Sequence, residues 1–148
     1  MIALDTNVLA RFYVDDPGDP EAAKQRPVAR RVITESPSLF VPLTVILEFE
    51  WVLRAFYGFD ATGVIRVFEH LLGLANINTE EAERVAAALP LAAQGMDFAD
   101  ALHLAGSAHC SALYTFDDRR FARRARKLGG VTRVMVPNGK PIPDPKAD

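Results

Sequence analysis

The sequence predicts an α/β protein of one domain, built on a parallel sheet of four to five short strands. Short apolar runs alternate with longer segments of helical pattern along the chain. No internal repeat or long linker divides the chain, and 148 residues suit one domain better than two. The single cysteine excludes an internal disulfide framework, so nothing indicates an oxidising compartment.

Each predicted element has its own signal in the sequence. The strands are predicted in IAL, SLFVP, ANIN, ALYTF and VTRVMV. The intervening segments carry helical patterns, with Pro27 predicted to kink or break the second helix and Thr79 to cap the segment TEEAERVAAALPLAAQG. Gly58 and Gly95 are predicted to end helices. Residues 1–136 form the predicted domain, and 137–148 a polar, proline-rich tail.

The apolar content does not predict a membrane protein. The longest apolar run, LFVPLTVIL, is too short to span a bilayer and is interrupted by Pro42 and Thr44. The N-terminus lacks the basic and apolar regions of a signal peptide. We therefore expect a cytoplasmic protein with no membrane partner.

Positive charge is concentrated near the C-terminal end. The net charge is −2, but residues 117–133 contain seven basic residues and two acids. Within this segment Phe121, Ala125 and Leu128 form a predicted buried stripe that leaves the arginines outward. A solvated charged surface is one interpretation, and a phosphate-binding or RNA-binding surface is the other. The candidates are Arg119, Arg120, Arg123 and Arg124.

Several acids lie at predicted helix starts. Asp5 and Asp117 follow predicted strands, and ligands of parallel sheets gather at the carboxyl ends of strands. Asp97 directly precedes a helix, and Asp100 falls at its third position, among apolar neighbours. Each acid alone is explained by helix capping. Together, Asp5 and Asp117 are expected to meet at one edge of the sheet.

Two glutamates on the third predicted helix differ in their neighbours. Glu50 has Arg54 four residues later, an arrangement typical of a solvated ion pair. Glu48 has no basic neighbour on its helix face, so we expect a desolvated carboxylate. A distant basic side chain or a metal ion must then compensate its charge.

In a pocket that joins Asp5, Glu48, Asp100 and Asp117, some of the four mutually repelling carboxylates would bind protons unless a cation is present. Oxygen-only ligands favour Mg²⁺ or Mn²⁺. The three histidines do not have zinc-ligand spacing. Such an ion polarises a phosphoryl oxygen and activates water, and the basic segment is suited to hold phosphates.

The full series of motifs resembles PIN-domain ribonucleases, and specifically the VapC-like toxins of type II toxin–antitoxin pairs. The matching segments, in order, are LDTNVLARF, DDP, VILEFEWVLRAFYG, GMDFADALHLAGSA and LYTFDDRRFAR. The resemblance implies a PIN-like domain with helices on both sides of the sheet and Mg²⁺-dependent cleavage of RNA. It also implies a homodimer and a cognate antitoxin that covers the acidic pocket.

Carried over by position, the resemblance assigns roles to individual residues. Asp5 and Asp100 would be direct metal ligands, and Glu48 and Asp117 would complete the catalytic pocket. Hydrogen bonds from Thr6, Asn7 and Thr115 would support the site. Asp97 would be a secondary acid beside it.

Two other interpretations of the acids remain open. A metal-dependent phosphatase or phospho-acceptor domain commonly needs a further acid next to, or two residues after, the first aspartate, where Thr6 and Asn7 stand. A non-catalytic regulatory binding module would use all four acids as caps or ion-pair partners. Such a module would not gain stability from Mg²⁺.

Overall fold

The computed structural model describes residues 1–130 and 132–141. Its strands lie where the apolar runs predict them, and every pairing between them is parallel. Helices connect the paired strands, so the predicted α/β class is confirmed. The strands are β1 (Ile2–Ala3), β2 (Leu39–Val41), β3 (Ile77–Thr79), β4 (Ala112–Tyr114) and β5 (Arg133–Met135).

The predicted single sheet of four to five strands is wrong. Within the described residues, β1, β2 and β3 form one sheet in that order, and β4 pairs with β5 in another. The backbone of β1 bonds to β2, since the amides of Ile2 and Leu4 donate to Ser38 and Phe40 at 3.1 and 2.8 Å. Which strands pair depends on contacts between residues distant in sequence, and the local pattern does not specify those contacts. Helices on both sides remain a prediction.

The helices also follow the predicted order. Two of them are continuous with a π-helical turn, a widened helical turn that often occurs near functional sites. The helices are α1 (Thr6–Tyr13), α2 (Pro20–Glu35), α3 (Leu43–Trp51) with the turn Val52–Phe56, α4 (Ala61–Gly73), α5 (Ala82–Ala93), α6 (Phe98–Gly106), and the turn Asp118–Ala122 with α7 (Arg123–Leu128).

Several helix-end predictions can be compared with the structure. Pro27 lies within α2 and does not end it. Gly58 and Gly95 follow helices with φ of 72° and 98°, in the left-handed region that favours glycine. The predicted Thr79 cap is wrong, because Thr79 belongs to β3 and Glu81 occupies the N-cap position of α5, without a capping hydrogen bond from its side chain.

A chain of aromatic rings holds the helices of the core together. Phe49 of α3 packs against Phe68 of α4 with ring centroids 5.7 Å apart. Phe68 stacks on Phe98 of α6 at 5.3 Å, and Tyr13 of α1 contacts Phe49 at 5.9 Å. These contacts fix the start of α6 and the middle of α3, which carry Asp100 and Glu48, on one common core.

The C-terminal part of the described chain matches the prediction in its stripe of apolar residues. Phe121 and Ala125 are buried and Leu128 is half-buried against the core. Residues 137–141 belong to no helix or strand, and the rest of the predicted tail lies outside the described residues. None of the helices described combines the length and apolar composition needed to cross a membrane.

Candidate functional site

The start of α6 places two carboxylates next to each other. Asp97 caps the helix, and its Oδ1 accepts hydrogen bonds from the amides of Ala99 at 3.0 Å and Asp100 at 3.3 Å. Asp100 is the third residue of α6, as predicted, and is half-buried. The capping bonds fix the backbone that carries Asp100.

The loop after β4 positions a third carboxylate. Asp117 accepts a hydrogen bond from the Arg120 amide at 3.0 Å, and its own amide donates to Thr115 Oγ1 at 3.0 Å. Thr115 therefore supports the loop that carries Asp117. The neighbouring Asp118 is paired with Arg126 at 2.9 Å. Asp117, not Asp118, is the acid that faces the cleft described next.

These three acids line one cleft of about 630 Å³, which we call the acidic cleft. Burial, and then the charge of Asp97, raises the pKa of Asp100; Asp117 adds a smaller increase, and His103 opposes it. Burial and the neighbouring negative charges therefore disfavour the ionised form of Asp100. Arginines from the π-helical turns and α7 also line the cleft, namely Arg54, Arg120 and Arg124.

Asp5 and Glu48 form a second acidic pair, joined by Thr6. Asp5 caps α1, and its Oδ1 accepts a hydrogen bond from the Thr6 amide at 2.8 Å. The buried hydroxyl of Thr6 donates to Glu48 Oε1. In the part of the chain that the structure describes, the lining of the acidic cleft includes neither Asp5 nor Glu48. Asp97 connects the two groups, because it also lines a groove with Glu48.

The predicted environments of Glu48 and Glu50 are reversed in the structure. Glu48 is exposed, whereas the Glu50 side chain is only 8% exposed and bonds Arg54 Nε at 2.9 Å. The predicted pair with Arg54 is confirmed, but Glu50 is buried. The hydrogen bond and charge of Glu50 raise the pKa of Arg54. Both residues line the acidic cleft, a position that the helix-surface pattern did not indicate.

The chemistry of these side chains fits a hard divalent cation, since every donor is a carboxylate oxygen. Burial of Asp100, and then the charges of Asp97 and Asp117, raise its pKa, and a bound cation would favour its ionised form. The acidic side chains lie farther apart than the sequence predicts. Among residues 1–130 and 132–141, no three Asp, Glu, His or Cys side chains form a group that could hold one ion.

The four candidate arginines are exposed, but their positions differ. Arg120 and Arg124 line the acidic cleft, while Arg119 lines a depression beside Asp117. Gly95 allows Arg124 to approach closely, because a β-carbon at Gly95 would lie 2.4 Å from Arg124 Nη1. This second role of Gly95 could not be read from the sequence, where it indicates only the end of a helix.

Asn7 differs from the other predicted supporting residues in its surroundings. It is exposed and lines a groove between α1 and α2, together with Arg11 and Gln25. Arg11 Nε donates to Gln25 Oε1 at 2.9 Å, and Arg11 Nη1 donates to the hydroxyl of Tyr57 at 3.1 Å. Asn7 thus lies one residue from Thr6, but it lines a different surface from Asp100.

Comparison with known proteins identifies the family. The family model of the PIN domain matches residues 2–127. No curated protein matches the chain. The match spans all the acids considered above, from Asp5 to Asp117. PIN domains are typically nucleases and generally use divalent metal ions. Because the match covers most of the 148 residues, this chain belongs to the PIN domain family.

Proposed function

We propose that this protein is a Mg²⁺-dependent endoribonuclease that hydrolyses RNA phosphodiester bonds, with Mn²⁺ as a substitute ion. The observation that carries the proposal is the acidic cleft, where Asp100 and Asp117 lie beside Arg120 and Arg124. Carboxylates suit a hard metal ion, and guanidinium groups suit phosphates. One cleft therefore offers both kinds of contact that phosphodiester hydrolysis needs.

In the proposal, Asp5, Glu48, Asp100 and Asp117 are the catalytic metal ligands. A bound divalent ion would polarise a phosphoryl oxygen and lower the pKa of a water molecule. The protein contributes oriented oxygens. Capping bonds fix the backbone at Asp100 and Asp117, and Thr6 holds Glu48. Because the described acids lie in two groups, we infer that metal and substrate binding bring the groups together.

The arginines supply the affinity for RNA in this proposal. Arg120 and Arg124 line the cleft and would hold phosphates there, and Arg119 and Arg123 would extend the positive surface along the same segment. Neutralising all four should weaken RNA binding and flatten its salt dependence, because fewer counterions are released. Metal affinity should remain nearly unchanged. An unchanged salt slope would mean that the arginines form only a solvated surface.

The decisive experiment is an RNA cleavage assay with Mg²⁺ or Mn²⁺, with and without EDTA. We expect cleavage by the wild type, and its loss in EDTA and in the Asp5→Asn and Asp117→Asn variants. Asp118→Asn is the matched control, because Asp118 is adjacent in sequence but is paired with Arg126. Activity that survives both EDTA and Asp5→Asn would refute the metal mechanism.

We further propose that the enzyme is a VapC-like toxin, restrained by a cognate antitoxin that covers the acidic cleft. The support is the resemblance of the full motif series from Asp5 to Asp117. Expression of the wild type alone should arrest growth, whereas Asp5→Asn should not. Growth arrest by both the wild type and Asp5→Asn would show that toxicity does not depend on the proposed metal-dependent cleavage.

The proposed toxin is a homodimer. Leu47 and Trp51 lie one turn apart on α3, with 38% and 57% of their surfaces exposed, and line a groove beside Glu48. Exposed apolar pairs of this kind suit a protein interface. Trp51→Glu should convert dimer to monomer in sedimentation experiments, while Val28→Glu, at an exposed valine of α2, should not. A wild-type monomer would contradict this part of the proposal.

A further inference from the structure

One aromatic ring near the candidate site is almost completely exposed. Phe116, in the loop between β4 and the π-helical turn, is 84% exposed and directly precedes Asp117. Single exposed apolar residues are common on protein surfaces and need no explanation by themselves. Phe116 differs because its backbone is fixed and its neighbours are charged.

The loop holds the Phe116 backbone on both sides. Thr115 donates its amide to the Met135 carbonyl at 3.0 Å, which ties the loop to β5. After Phe116, the Asp117 amide bonds Thr115 Oγ1 at 3.0 Å, and the Asp118 amide bonds the Phe116 carbonyl at 3.1 Å. The ring is therefore presented to solvent from a hydrogen-bonded turn.

Charged side chains of both signs surround the ring. Phe116, Asp117, Asp118, Arg119 and Arg120 line a surface depression of about 450 Å³. The depression adjoins the acidic cleft, because Asp117 and Arg120 line both. Asp118 is paired with Arg126, and Arg119 and Arg120 form no ion pair with an acid in the ranges 1–130 and 132–141. Two guanidinium groups are thus available beside the ring.

We propose that Phe116 stacks on an unpaired nucleobase of the RNA substrate, next to the phosphate that enters the acidic cleft. Proteins recognise single-stranded RNA by stacking splayed bases on aromatic rings while basic side chains hold the backbone. Phe116 supplies the ring, and Arg119 and Arg120 supply the charges. A base inside a duplex has no free face, so the substrate must be unpaired at this position. The inference rests on the proposed ribonuclease function.

The test measures binding of a short single-stranded RNA that contains 2-aminopurine, with EDTA present to prevent metal-dependent cleavage. Stacking should quench the 2-aminopurine fluorescence in the wild-type complex. Phe116→Ala should abolish the quenching and weaken binding by about 5- to 150-fold, while Phe116→Trp should retain both. Phe56→Ala is the matched control, because Phe56 is 71% exposed but lies at the end of the α3 segment. It should bind like the wild type.

Two further measurements make the inference specific to stacking. An abasic nucleotide at the quenched position should weaken wild-type binding, but should have little further effect on Phe116→Ala. A duplex of the same sequence should bind Phe116→Ala and wild type equally. Equal affinity and quenching of the single strand by both proteins would overturn the inference. A change of oligomeric state in Phe116→Ala without a change in RNA affinity would also overturn it, in favour of a protein contact.

A separate cleavage assay on the wild type with Mg²⁺ distinguishes failure of the proposed nuclease function from failure of the stacking contact. Quenching that depends on Phe116 without any cleavage would refute the nuclease proposal and support the stacking contact. Cleavage by wild type, together with Phe116-independent binding, would refute the stacking contact alone.

Discussion

The buried hydroxyl of Thr6 donates a hydrogen bond to Glu48 Oε1 across 42 positions of sequence. Thr6 opens α1 directly after the Asp5 cap, so this bond links the first candidate ligand to α3. It also explains how an exposed glutamate can be held in one orientation without a basic partner. The first predicted supporting residue therefore acts on Glu48, a contact that the sequence alone did not specify.

Thr6→Val should test this link, because valine keeps the shape of threonine and removes the hydroxyl. The loss of one partly buried hydrogen bond should lower the free energy of unfolding by about 0.5–1.5 kcal/mol. Cleavage of RNA should fall further than stability explains, since Glu48 loses its orientation. Urea unfolding and initial cleavage rates measure the two effects. Thr6→Ser keeps the hydroxyl, so it should retain both stability and cleavage. A fully active Thr6→Val would show that the bond is dispensable.

The reversed burial of Glu48 and Glu50 shows what a helical pattern cannot predict. The segment LTVILEFEW is apolar around most of its circumference, so no polar side marks which face meets solvent. The spacing of Glu50 and Arg54 correctly predicts their ion pair. Its burial depends on the packing of α3 against the rest of the chain, and local spacing carries no information about that packing.

Removing Arg54 should destabilise the protein, because the buried charge of Glu50 then has no partner. The Glu50 side chain is 8% exposed and that of Arg54 is 49% exposed. Arg54→Met should therefore lower the free energy of unfolding by about 1–3 kcal/mol, less than for a fully buried pair. Adding Glu50→Gln should recover part of the loss, because no buried charge then remains. Chemical denaturation at neutral pH measures both values.

The chain contains a matched control for this ion pair. Arg31 and Glu35 have the same spacing on α2, but their side chains are 77% and 65% exposed and 3.7 Å apart. Arg31→Met should change stability by less than about 0.5 kcal/mol. Equal effects of Arg31→Met and Arg54→Met would contradict the role assigned to burial.

The raised pKa of Asp100 predicts that the stability of the metal-free protein depends on pH. Because folding raises this pKa, the folded state holds the Asp100 proton more strongly than the unfolded state does. The resulting stability is present below the ordinary aspartate pKa of about 4 and is lost as pH rises through the folded value. In EDTA, Asp100→Asn should therefore melt above the wild type at neutral pH. This advantage should disappear in acid.

Metal ions should reverse the order of the melting temperatures of the wild type and Asp100→Asn at neutral pH. Mg²⁺ or Mn²⁺ should raise the melting temperature of the wild type, because an ion bound only to the folded state stabilises it. Asp100→Asn should respond less. Asp118→Asn, at an acid paired with Arg126, should respond like the wild type. No stabilisation of any of the three proteins by Mg²⁺ or Mn²⁺ would argue for a binding module without a metal site.

The order of elements could be predicted from sequence, but the pairing of strands could not. Apolar runs and turn residues predict where β1 and β4 lie, and acids at helix starts predict the caps at Asp97 and Asp117. Strands of two or three residues carry no register signal, since pairing depends on contacts distant in sequence. The distance between Asp5 and Asp117 depends on that pairing. For this reason the capping positions of Asp5, Asp97 and Asp117 were predictable individually, whereas the division of the acids into two groups was not.

Gly95 offers a way to displace Arg124 without changing its charge. Gly95 has φ of 98°, and an added β-carbon would lie 2.4 Å from Arg124 Nη1. Gly95→Ala should lower stability by about 1–3 kcal/mol through backbone strain. Arg124 can move aside because its side chain is flexible, but it then leaves its position at the acidic cleft. RNA affinity should fall as it does in Arg124→Ala, and calorimetric binding with EDTA present measures the change.

The double variant separates displacement of Arg124 from general damage. If Gly95→Ala acts by moving Arg124, combining it with Arg124→Ala should weaken RNA binding no further than Arg124→Ala alone, because the displaced group is already absent. Gly18→Ala is the control, since a β-carbon at Gly18 would have no neighbour within 4 Å. It should leave RNA affinity unchanged. Additive losses in the double variant would mean that Gly95 affects the cleft by another route than Arg124.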